Sequence, residues 1–237
     1  MIEGKGGIYM LTAYLVGLEA HLAPAFVIFF SAVLQSITGF GLVIVAAPLL
    51  MIFYDPKLTV PIMLLLACCA NFCQGLFALR TANLRLVFWL YLGVLCGQPL
   101  GFWAFDHASS AMLKVFISAI VLFSLGTMQA LHLRIRERPR NSWITGIFSG
   151  FTSITAGMGG PPFLIYLAHS RMTVEVMRAT CFVFFFLCNV TSLMSYELGG
   201  LPIAPALGEC IYLLPALVLA VSSLSNKLSV CVSLSIV

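Results

Sequence analysis

Charged residues divide the chain into long apolar windows. No Asp, Glu, Lys or Arg occurs in residues 20–54, 58–79, 86–105, 115–133, 141–170, 179–196 or 210–226. A hydrocarbon core about 30 Å thick takes a helix of about 20 apolar residues, and inside it every backbone N–H and C=O must be bonded internally. The pattern therefore predicts a membrane helix in each window. Ile8–Leu18 is shorter and stops before Glu19 and His21. No clear small-residue cleavage site follows it, and further apolar windows come directly after, so it reads as the front of the first membrane helix rather than a signal peptide.

Two windows are too long. As single helices, residues 20–54 and 141–170 would reach about 50 and 45 Å at roughly 1.5 Å per residue. Each holds a glycine cluster near its middle: Thr38-Gly39-Phe40-Gly41 in the first, and Gly157-Met158-Gly159-Gly160-Pro161-Pro162 in the second. Glycine costs a helix about 1 kcal/mol and proline about 3. The second cluster predicts a break, whereas the two glycines of the first predict at least a bend.

The windows also look like copies. A shift of 118 residues places Gly39 on Gly157, Gly41 on Gly159, Ser31 on Ser149 and Asn71 on Asn189. A duplicated unit with an interrupted membrane segment near the start of each half is the pattern of secondary transporters. The expected architecture is an all-α polytopic transmembrane helix bundle, one integral membrane domain over residues 1–237. Its repeats cover about 26–132 and about 143–237.

Charge sets the orientation. Arg134, Arg136, Arg138 and Arg140 should be cytoplasmic, with Arg80 and Arg85 on the same side two spans earlier. If the second glycine window crosses once, the Lys/Arg count after Lys5 is six inside to five outside; if it folds back as a hairpin, Arg171, Arg178 and Lys227 return inside and the count is nine to two. The bias favours re-entrant hairpins and hence inverted halves.

Composition agrees: 61% of the residues are hydrophobic and 8% charged, against about 25% charged in a soluble domain. Such a chain can leave apolar groups outward only in lipid, which excludes a soluble enzyme, a nucleic-acid binder and a disordered chain. The eight cysteines lie almost all in apolar runs and read as small packing residues. The four histidines sit at span ends, no acid lies near the centre of a span, and no catalytic motif is present. Nothing calls for a metal or cofactor, and self-association is left open.

The glycine clusters are the candidates for chemistry. A helix broken inside the bilayer is tolerated only where it is packed in protein or lines a cavity, and a half-helix N-terminus there offers free N–H groups and a positive dipole end to an anion. The amides of Gly157 to Gly160, Gly159 among them, with those from Gly39 to Leu42, would serve, and Pro161 and Pro162 suit the first turn of a new half-helix. The competing reading is that these glycines only allow close packing. Gly93, Gly97 and Gly101, with Gly146 and Gly150, read as packing ladders. Asn71 and Asn189 are raised as ligands by their repeat relationship. Arg178 snorkels by default, the alternative being a cationic lure at the mouth of an anion site.

Thr38-Gly39-Phe40-Gly41 with Ala47-Pro48-Leu49-Leu50, and Gly157-Met158-Gly159-Gly160-Pro161-Pro162 with Arg178-Ala179-Thr180, resemble the TauE/SafE family of sulfite and organosulfonate exporters over roughly residues 26–223. The resemblance implies a bacterial inner-membrane permease for small sulfur-containing or organic anions. It departs in having Gly-Phe-Gly in the first motif where many members carry a glycine run, and in following Lys227 with only residues 228–237, too few for the further full span that members usually have, so the last span is expected to be cut short. The alternatives are a carrier of small carboxylates and a non-transporting membrane subunit.

Overall fold

The computed structural model describes residues 21–39, 41–130, 139–160, 162, 163, 166 and 172–234. Among these residues the regular structure is helical: α1 (Leu22–Thr38), α2 (Leu42–Leu50), α3 (Pro56–Ala78), α4 (Leu84–His107), α5 (Ser110–Ala130), α6 (Pro139–Ala156), α7 (Val174–Leu198) and α8 (Ala204–Leu234). By length and composition, four helical stretches can cross a membrane: Pro56–Leu76, Leu84–His107, Val174–Leu198 and Ala204–Ser222. Residues 8–18 and the arginines at 134, 136 and 138 lie outside the described residues.

Local signals set the boundaries. Asp55 caps α3, accepting from the Lys57 amide at 2.9 Å, with Pro56 in the first turn. Asn83 caps α4 through the Leu86 amide at 3.1 Å, and Thr173 caps α7 through that of Val176. No glycine or proline follows Pro215, so nothing interrupts the helix, and α8 runs through Lys227 to Leu234.

Neither overlong window forms one helix, and both fold back. The rings of His21, ahead of α1, and Tyr54, beyond α2, lie 6.4 Å apart. A chain that crossed once would leave them on opposite membrane faces. Likewise Ser142, in the first turn of α6, hydrogen-bonds at 2.9 Å to Tyr166, which lies beyond the second cluster. The hairpins open at opposite ends of the bundle. The first opens where α3 begins. The second opens where α3 finishes, since Asn83 and Arg85 share a cleft with Pro139, Ser142 and Tyr166. One end thus carries Arg80, Arg85 and Arg140; the other carries Lys57, with Lys114 on α5, whose Ser110 bonds Asp55 at 3.0 Å.

Helix positions keep the 118-residue register. Shifted by that amount, α1 falls on α6, α3 on α7 and α4 on α8. Packing follows suit: α4 lies along α6 as α8 lies along α1, α4 meets α7 as α8 meets α3, and α3 packs against α7.

The bundle is apolar outside and polar within. Phe26, Trp103, Met112 and Leu198 are exposed, whereas Ser31, Gln35, Asn71, Gln98, Ser149, Ser153, Asn189 and Ser192 are buried. In water this arrangement would be unstable; in lipid it places hydrogen-bonding groups where they can meet one another or a polar cargo. Gln98 donates to the Cys188 carbonyl at 3.1 Å and to Ser192 at 2.9 Å, and Ser192 meets Ser153 at 3.2 Å, joining α4, α7 and α6.

The lysine end is closed by a polar cluster. His21 meets Glu209 of α8 at 2.7 Å and stacks on Tyr212 with ring centres 4.6 Å apart. Burial, then a hydrogen bond to the Glu209 carboxylate, pushes the Tyr54 phenol above its ordinary value of 10.0. Its folded-state pKa is raised, so its contribution to stability is complete below pH 10.0 and is lost as pH climbs above it. The melting temperature in detergent should therefore fall on the alkaline side of that value, and more gently in Tyr54→Phe; equal alkaline slopes would refute it.

Candidate functional site

Each break has a defined backbone cause. α1 stops because Gly39 turns left-handed, φ 86°, its amide closing on the Gln35 carbonyl at 2.7 Å. Gly41, φ 123°, then starts α2, accepting from the Val45 amide at 3.1 Å. The amides of Leu42, Val43 and Ile44 precede any helical acceptor, so they form the electropositive end of α2. At the second break Gly157 takes φ 68° and the Met158 amide reaches back to the Thr152 carbonyl at 3.2 Å. The two-glycine cluster thus breaks its helix fully, because φ above zero at both glycines reverses the chain.

Between the breaks lies a cavity of about 40 Å³. Its polar lining is Gln35, Asn71 and Asn189 with the backbone of Gly41, Gly157, Gly159 and Gly160. Val43, Ile44, Ala67, Met158 and Phe185 form an apolar wall. At roughly 10–15 Å³ for each water, this is space for about three waters or a small ion. Gln35 donates to the Asn71 carboxamide oxygen at 2.8 Å. The Asn189 side chain is 4% exposed, and its amide nitrogen is buried with no hydrogen-bond partner among the described residues. A buried donor left unmade costs about 1–3 kcal/mol, so Asn189 is a group waiting for an acceptor.

Of the residues singled out from sequence, Gly41, Asn71, Gly157, Gly159, Gly160 and Asn189 line this cavity; Thr38, Gly39 and Arg178 do not. Phe40 and Pro161 lie outside the described residues. The Thr38 hydroxyl bonds back to the Leu34 carbonyl at 2.8 Å. Arg178 packs on the first break. Its guanidinium donates to the Ser36 carbonyl at 2.7 Å, setting its charge against the negative end of α1, and its stem covers Gly39. The position 118 residues earlier is Val60, which packs near Gly157, so among the described residues only the first break carries an arginine.

The glycines of the second break both pack against α6 and line the cavity. At Gly159 a Cβ would meet Ser149 and Ser153 of α6 at 3.4 Å, while the residue's backbone faces the cavity. Gln35 lines the cavity without a repeat signal, since its counterpart is Ser153, and nothing in the sequence separates Phe185 from other apolar positions.

Gly39 and Gly157 differ in surroundings. A Cβ on Gly39 would sit 3.0–3.2 Å from three Arg178 atoms, one of them backbone; on Gly157 it would meet nothing nearer than 3.5 Å. Gly157→Ala should cost only the left-handed penalty of about 1–2 kcal/mol. Gly39→Ala should cost more and lower the melting temperature further in detergent; equal shifts would contradict the contact with Arg178.

Helices that cross a membrane, with two re-entrant hairpins meeting at a buried polar cavity, define a multi-pass integral membrane protein. The family model described as Sulfite exporter TauE/SafE matches residues 24–230, and the chain belongs to that family of transporters. No curated protein and no solved structure matches it.

Proposed function

We propose that the protein is a permease of the bacterial inner membrane that exports a small sulfur-containing anion, sulfite or a sulfonate, through the cavity between its two breaks. The observation that carries this reading is the unpartnered Asn189 donor on a cavity that also receives the N-terminal end of α2. An amide donor and a positive dipole end both suit an anion, and broken helices at such a site are a transporter's device. The shared register and packing of α1, α3 and α4 with α6, α7 and α8 support two repeats, about 26–132 and 143–237, with the opposed hairpins making them inverted.

Flux of labelled sulfite from liposomes holding the purified chain is the test. Sulfite movement supports the reading. Movement of small carboxylates alone would replace the substrate, and movement of neither would make the chain a membrane subunit without transport of its own.

The arginine end is proposed to be cytoplasmic, by the positive-inside bias. In a cysteine-free background on intact cells, an impermeant thiol reagent added outside should label Lys114→Cys and spare Arg140→Cys. The reverse pattern would invert the topology.

A further inference from the structure

We infer that the cavity carries its cargo as a singly charged anion, so that a sulfur oxyanion with two ionisable oxygens crosses with one proton still attached. This rests on the transport reading above and adds the charge state of the cargo.

No charged residue lines the cavity among the described residues; its donors are neutral carboxamides and backbone amides. Arg178, the cation packed on the first break, stays outside the cavity lining; one of its guanidinium nitrogens donates to the Ser36 carbonyl at 2.7 Å, and its Nε is buried with no partner among the described residues. The cost of stripping water from an ion rises with the square of its charge. A dianion of the same size would therefore lose about four times the hydration of a monoanion. Buried sites for doubly charged oxyanions meet that loss with Arg or Lys side chains, a metal ion, or several helix N-termini and backbone amides converging on one point. Here the counter-charge is the end of α2, equivalent to about half an elementary charge, plus the Asn189 amide, 4% exposed and without a partner. That is a match for one negative charge.

Sulfite's second ionisation falls near neutral pH, so hydrogensulfite is abundant there. On the loading side sulfite takes a proton from water, hydrogensulfite crosses, and the proton is released on the other side. No bond to sulfur forms or breaks, and nothing is oxidised.

The test uses the full chain in liposomes, with initial rates for labelled sulfite measured across a pH series at fixed total sulfite. Labelled methanesulfonate, singly charged at every pH used, is the reference. The sulfite rate should fall about tenfold for each pH unit above the second ionisation, methanesulfonate should move at a rate indifferent to pH, and sulfate should not compete. A sulfite rate that holds or rises with pH, or competition by sulfate, overturns the inference while leaving transport intact. Parallel decline of both anions also overturns it, because the protein's own titration then sets the slope. Movement of neither overturns the transport reading and this inference with it.

Discussion

Gly97→Ala is expected to prevent the chain from accumulating as a folded membrane protein. A methyl group at this position would fall on the Ile147 carbonyl oxygen, with that residue's carbonyl carbon 2.8 Å away and its Cα 3.0 Å away. These are backbone atoms of α6, and backbone has no rotamer with which to yield. The neighbouring rungs are equally close: Gly93 lies against Trp143 and Gly146, Gly146 against Leu90, and Gly150 against Val94. One methyl would thus have to part α4 from α6 over several turns. Overpacking that side chains can absorb costs about 1–3 kcal/mol; here the loss should exceed about 3 kcal/mol, a large share of the 5–15 typical of a folded domain. Gly126→Ala and Gly208→Ala are the controls. Nothing lies within 4 Å of either added Cβ, and removing a helical glycine should stabilise by up to about 1 kcal/mol. Yield of monodisperse protein after detergent extraction reads the difference. Wild-type yield for Gly97→Ala would mean that α4 and α6 are not in backbone contact.

Asn189→Leu should separate transport from stability. The substitution keeps the approximate shape and removes a buried donor that has no acceptor among the described residues, so the melting temperature should hold or rise. Sulfite flux should fall, because a hydrogen bond to a charged group is worth about 1.5–3 kcal/mol, roughly tenfold to a hundredfold. Asn71→Leu should behave differently. It removes the acceptor of the 2.8 Å bond from Gln35, leaves that amide buried, and should lose stability as well as flux. Full flux in Asn189→Leu would move the anion away from this cavity.

The apolar windows, the two breaks and the glycine ladders were legible in the order of residues, because each expresses a local rule. Twenty uncharged residues can satisfy their backbone only as a helix in lipid, clustered glycine and proline cannot propagate one, and glycine every fourth position clears a path for a second backbone. The register of 118 residues was legible for the same reason: it pairs residues by position alone. Asn71 and Asn189 could be paired in this way before either was placed.

Other facts depended on what lies across the bundle. The charge bias favoured hairpins, but the contacts that close them, His21 with Tyr54 and Ser142 with Tyr166, join residues whose sequence offers no mutual signal. The fate of Arg178 was likewise a tertiary matter, since a guanidinium at the start of an apolar helix can face lipid headgroups, a substrate or a carbonyl, and the carbonyl of Ser36, 142 residues away, is what it meets. Gln35 and Phe185 joined the site for the same reason. The sequence alone determined that this is a helical membrane protein with two interrupted segments, because the bilayer imposes backbone satisfaction residue by residue. Only the tertiary structure decided that those interruptions share one cavity and leave the Asn189 donor unmatched on its wall, because the partners of a buried polar group are chosen by packing between distant helices.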